Sequence, residues 1–164
     1  MAISNYGEHL HAKYRELSLE IELKLSARLG RDNEGLVVSA PEAELHLPPI
    51  ISSYDKRLAF TIIPFCKIPF AMYDCVLARL LEAKVTVAAG VKAKLVFGSI
   101  GAQGEALHVV RIVRELSNGV ALADDDFEGG EKLLEWPEFE HAVLDASSGY
   151  WVIGCDGKWR TKWI

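Results

Sequence analysis

Two separated stretches of this chain place apolar residues at every second position, and that period constrains the fold more than any other feature. In the first, Leu17, Leu19, Ile21, Leu23 and Leu25 alternate with polar neighbours. In the second, Val85, Val87, Ala89, Val91, Ala93, Leu95 and Phe97 fall on one side, with Thr86, Lys92 and Lys94 on the other. A strand presents such a set to one face of a sheet, whereas a helix divides it between opposite faces. The alternation predicts strand in both places, in the first against the helix preference of Leu, Glu and Lys, and in the second as one strand or as two turning at Ala89-Gly90. Gly30-Arg31-Asp32-Asn33-Glu34-Gly35 then supplies turn chemistry and Leu36 to Ser39 reads as a returning strand, so the first third reads as a hairpin.

Pro41, Pro48, Pro49, Pro64 and Pro69 limit the next stretch to short segments, such as edge strands at Glu44 to Leu47 and Leu58 to Ile63. Between Ala71 and Ala83 the apolar spacing changes to three and four, through Met72, Val76, Leu77, Leu80 and Leu81, which predicts a short helix. Leu107 to Leu116 reads as a strand that turns at Asn118-Gly119 and returns through Val120 to Ala123. Asn-Gly favours such a turn because both positions accept positive φ. Glu131 to Asp145 reads as a helix interrupted by Pro137. Tyr150 to Cys155, Asp156-Gly157 and Lys158 to Ile164 read as a closing hairpin.

Hairpins imply antiparallel pairing. The expected class is therefore α+β, an antiparallel curled sheet or small β-barrel with two or three short helices. The predicted core comprises Leu19, Ile21, Leu23, Val87, Leu95, Phe97, Ile112, Val152 and Trp159. With 164 residues, half of them apolar, and no repeat or linker, residues 1–164 are expected to form a single globular domain. No run approaches the roughly 18 apolar residues of a membrane span. A net charge of -5 argues against general nucleic-acid binding, which depends on neutralising phosphates. Cys66, Cys75 and Cys155 are too few and too far apart for a disulfide framework, so the expected location is cytoplasmic.

Three groups of residues could carry chemistry. Asp124-Asp125-Asp126-Phe127-Glu128-Gly129-Gly130 leads to Glu135 in the spacing of a calcium loop, with Asp124, Asp126, Glu128 and Glu135 as ligands for Ca2+. Lys132 at the ninth position cannot ligate, and an acidic solvated turn explains the same residues. The closing hairpin would place Trp151 on one face with Lys158, Arg160 and Lys162, a mixed aromatic and basic surface able to stack a base or hold an anion. The same cations would also protect an edge strand. His141 and Asp145, four apart on a helix, could share a face and pair for catalysis, yet no nucleophile has a supporting context.

Val109-Val110-Arg111-Ile112-Val113-Arg114, followed by Asn118-Gly119-Val120-Ala121-Leu122 and Asp126-Phe127, resembles the closing hairpin of PilZ domains, which bind cyclic di-GMP. The resemblance implies a nucleotide-binding barrel. The ligand motifs of those domains, Arg-x-x-x-Arg and Asp/Asn-x-Ser-x-x-Gly upstream of the hairpin, do not stand at the required places, so no ligand residues carry over. The expected function is a non-enzymatic binding or protein-interaction domain. A homodimer is expected from the high apolar content, because two-fold dimers are the commonest oligomers.

Overall fold

The structure is a computed structural model that describes residues 11–32, 38–92, 95–96, 107–123, 130–143 and 149–155. Six strands form one sheet: β1 (Leu58–Pro64), β2 (Thr86–Lys92), β3 (Leu107–Leu116), β4 (Gly119–Ala123), β5 (Glu131–Glu135) and β6 (Gly149–Cys155). Their order is β1-β6-β2-β3-β4-β5, and every neighbouring pair is antiparallel. Antiparallel pairing follows the sequence expectation, but the curled sheet or barrel does not form. The outer strands β1 and β5 do not pair with each other, so the sheet is open. It buries its two faces against helices and not against itself. The barrel implied by the PilZ resemblance is corrected on the same ground.

The described residues contain four helices, more than the two or three short ones expected: α1 (His11–Leu29), α2 (Ala40–Tyr54), α3 (Tyr73–Glu82) and α4 (Trp136–Val143). The largest correction is at Leu17 to Leu25, which lies inside the 19-residue α1 and not in a strand. Helix propensity prevails here because burial selects a helical subset of the apolar residues. Ile21 and Leu25, four apart, are buried and Leu29 packs beside them, while Leu23 is 56% exposed. Gly30, at φ +63°, ends this helix. The Arg31 amide donates to the Ser26 carbonyl at 3.1 Å and the Gly30 amide to Ala27 at 3.4 Å, the paired closure of a left-handed C-cap. The turn signal at Gly30 is thus real, but it terminates a helix and not a strand.

The expected edge strand at Glu44 to Leu47 is likewise helical. Ser39 caps α2 by accepting from the Glu42 amide, and the Glu42 carboxylate accepts from the Ser39 amide at 2.9 Å, a complete capping box. Pro41 falls in the first turn, where its missing N–H costs nothing. Pro48 and Pro49 lie inside the helix, and the carbonyls they leave without an intrahelical donor belong to Glu44 and Leu45, both exposed residues. Ala43, Leu47, Ile50 and Ile51 meanwhile form one buried stripe, and that packing outweighs the two prolines.

The predicted edge strand at Leu58 to Ile63 is β1, and the helix predicted over Ala71 to Ala83 is α3, with Val76, Leu77 and Leu80 buried. The strand expected over Val85 to Phe97 stops at Lys92, and Leu95 and Val96 are helical. In the β3–β4 hairpin Leu116 pairs with Gly119, so the turn residues are Ser117 and Asn118, and neither has positive φ. Gly119 is needed for closeness instead: a Cβ there would run into the Leu134 carbonyl oxygen of β5. Residues 131–135 are strand, and the helix begins only at Trp136, with Pro137 in its first turn. Of the expected closing hairpin, only the first arm is described. That arm is β6, paired by β1 on one side and, over Tyr150–Ile153, by β2 on the other; residues 156–164 lie outside the described residues.

The core has two parts. On the first face of the sheet, α3 and α4 bury Val87, Ala89, Val91, Val110, Ile112, Val120, Leu122, Leu134, Tyr150 and Val152. On the second face, α1 and α2 bury Phe60 and Ile62 of β1, with Trp151 and Ile153 of β6 packed alongside. Of the predicted core, Ile21, Val87, Ile112 and Val152 are buried, whereas Leu23 and Leu95 are exposed. The side chains of Leu19, Phe97 and Trp159 lie outside the described residues.

Candidate functional site

The two faces of the sheet are covered unequally. Helices α1 and α2 reach only β1 and β6 of the second face, and among the described residues no helix covers its continuation over β2 to β5. Register defines what this continuation presents. Trp151 pairs with Ala88, Ala88 with Arg111, Arg111 with Ala123 and Ala123 with Glu131, so these five side chains form one row across the sheet. Neighbouring strands are about 4.8 Å apart, which puts Trp151 and Arg111 roughly 10 Å from each other with only a methyl group between them. Beside this row lie Gly90 opposite Val109 and Ala121 opposite Leu133. The small residues of the floor are themselves buried, Ala88 and Ala121 almost completely, while Val109 and Leu133 stand 40% and 61% exposed at its margins.

A β-bulge completes the surface. The β3–β4 register shifts between Ile112 and Arg114, leaving Val113 without an opposite residue and pairing Arg114 with Ala121. Strict alternation would have turned Arg114 to the core with Val110 and Ile112. The bulge turns it onto the second face with Arg111. There its guanidinium holds the Glu131 carboxylate through two bonds of 3.0 and 2.8 Å. This fork is exposed and contributes little to stability, but it fixes the orientation of Arg114. At the other side of the row the Trp151 ring meets Phe60 edge to face, centroids 5.9 Å apart. Its indole Nε1 is buried without an acceptor among the described residues.

The residues singled out in the sequence are not brought together. Trp151 is in place on the second face, but Lys158, Arg160 and Lys162 lie outside the described residues. Asp124, Asp126 and Glu128 also lie outside them, between β4 and β5. Glu135 pairs with Gly119 at the opposite end of that hairpin from Ala123 and Glu131. Four residues of strand, roughly 13 Å of rise, separate it from Glu131. Among the described residues no three His, Cys, Asp or Glu side chains gather as a metal site. His141 is exposed on α4, and Asp145 lies outside the described residues.

The titrating groups on the first face give no sign of a nucleophile. Cys75 is exposed, and hydrogen bonding to the Asp74 carboxylate raises its thiol above the ordinary range, which lowers its thiolate fraction. Burial raises the Tyr73 and Tyr150 hydroxyls, keeping both neutral. No helix among the described residues is long and apolar enough to cross a membrane. Sequence reasoning missed the second-face role of Arg111, Arg114, Val109 and Leu133. Alternation of Val109, Arg111 and Val113 against Val110 and Ile112 could have found two of them, but nothing local announces the bulge. No family model matches the chain, and no curated protein matches it.

Proposed function

We propose that this chain is a non-enzymatic binding or protein-interaction domain that works as a homodimer in a reducing, cytoplasmic compartment. The observation that carries the reading is the exposed apolar pair Val109 and Leu133 on the second sheet face, which flank the row of side chains running from Trp151 to Glu131. Exposed apolar side chains beside an aromatic ring and an Arg114–Glu131 fork suit contact with another apolar, polar-rimmed surface better than enclosure of a reacting substrate. Cys66 and Cys75, both free and exposed, support the compartment, since exposed thiols persist where they are kept reduced.

The test uses anilinonaphthalene sulfonate, which combines an aromatic body with an anionic group. The folded chain should enhance its fluorescence, and Val109→Asp with Leu133→Asp should abolish the enhancement while leaving the circular dichroism unchanged. No enhancement with the parent, or equal enhancement with the double variant, would count against this surface. Turnover on a broad substrate panel that disappears in His141→Ala would place the protein among enzymes instead.

A further inference from the structure

Among the described residues, the two edges of the sheet, β1 and β5, are built differently. An open edge offers unpaired N–H and C=O groups to another strand, and proteins ordinarily blunt it with charges, proline or bulges. Strand β5 follows that rule: Glu131, Lys132 and Glu135 occupy three of its five positions. Strand β1 does not. Leu58-Ala59-Phe60-Thr61-Ile62-Ile63-Pro64 has no charged residue, and its register with β6 runs through all seven positions without a bulge. Its only blunting residue, Pro64, stands at the very end. Leu58, Ala59 and Thr61 are each only half-buried, so the strand is not sealed off.

We infer that β1 is the self-association edge: a second copy of this chain adds to it antiparallel, about a two-fold axis at Thr61. The inference rests on the homodimer reading above and names its interface. The register is self-complementary. Thr61 meets Thr61 of the second copy, Phe60 meets Ile62, Ala59 meets Ile63 and Leu58 meets Pro64, so no like charges oppose one another and every pair suits a sheet. Antiparallel addition keeps faces aligned. Phe60 and Ile62, already packed under α1 and α2, would continue that apolar layer across the axis. Pro64 lacks one donor and limits the ladder only at its two ends. The same operation on β5 about Leu133 would set Glu131 against Glu135 twice, which selects β1 over the opposite edge. Closed two-fold pairing consumes the one uncharged edge and leaves both charged β5 edges outermost.

Sedimentation velocity over a micromolar concentration series reads the association, with Thr61→Lys and Thr61→Cys as variants. The parent should reach twice its 18.2 kDa mass. Thr61→Lys, which opposes two ammonium groups at the axis, should weaken the dimer by roughly tenfold or more. A short bifunctional thiol crosslinker should join two copies of the Thr61→Cys variant at that position, identified by peptide mapping, because opposite residues have Cβ atoms about 5 Å apart. Ala59→Cys, offset from its own counterpart, should not link to itself. A parent dimer that Thr61→Lys leaves unchanged and Thr61→Cys does not link overturns the β1 edge alone. A parent that stays monomeric overturns the homodimer reading and the edge together. Should Thr61→Lys fail to fold, the presence or absence of the Thr61→Cys link decides.

Discussion

The Tyr150 hydroxyl donates a 3.1 Å hydrogen bond to the Tyr73 backbone carbonyl, joining β6, the strand beside edge strand β1, to the first residue of α3. The Tyr150 ring also lies nearly parallel to Phe139 of α4, at 14°, and edge-on to Phe65, with centroids 4.8 Å apart. One side chain therefore ties both helices of the first face to the sheet. Tyr150→Phe keeps the rings and should cost about 1 kcal/mol. Tyr150→Ala should cost about 3–5 kcal/mol, because it also opens a cavity. Urea denaturation of both variants checks the ratio, and equal losses would mean that the hydroxyl and not the ring carries the contribution.

Gly119 sits against β5 so closely that a methyl group has no room. Gly119→Ala should cost about 1–3 kcal/mol through overpacking, with the loss concentrated in the β4–β5 pairing. Hydrogen exchange should be faster at Glu131–Glu135 than in the parent. A variant as stable as the parent would contradict the close approach.

Arg31 and Ser39 hold the Glu42 carboxyl down from 4.5 to about 2, the Arg31 bond being the largest cause. Arg57 does the same for Asp55, from 3.8 to about 2. A depressed folded-state pKa contributes stability that is full above the unfolded value and is lost as pH falls through the folded one. Thermal stability should therefore decline between about pH 4.5 and pH 2, and Glu42→Gln should flatten that decline. Melting curves across this range check it; parallel curves for parent and variant would show that the Arg31–Glu42 contact at the α1–α2 junction does not persist in solution.

Pro48 and Pro49 weaken a helix that packing sustains. Pro49→Ala restores a donor for the Leu45 carbonyl, and it should stabilise the chain by about 1–3 kcal/mol. Denaturation midpoints measure the gain. A loss would mean that the α2 backbone around Pro49 is bent in a way that Ala cannot follow.

The sequence discloses those parts of the fold in which local signals and burial agree. Leu58 to Ile63 is apolar and flanked by turn residues, Val76, Leu77 and Leu80 keep helical spacing, and Leu107 to Ala123 carries a hairpin signal; all three form the expected elements. At Leu17 to Leu25 the alternation misleads because it weighs every apolar residue equally, whereas the fold buries Ile21 and Leu25 and leaves Leu23 in solvent. Residues 131–135 mislead because Leu133 and Leu134 are adjacent, one facing each side of an edge strand, a spacing compatible with either structure. The second-face surface is the least legible. It is assembled from β2, β3, β4, β5 and β6 by register, and its second arginine is turned into place by a bulge that depends on pairing with β4.

Hydrogen exchange on the unmodified chain at low and high protein concentration tests self-association through β1 most directly. The amides of Leu58 to Ile63 should gain protection as concentration rises, while those of Glu131–Glu135 on the charged edge stay unchanged. Protection that appears at β5 instead, or at neither edge, would contradict it.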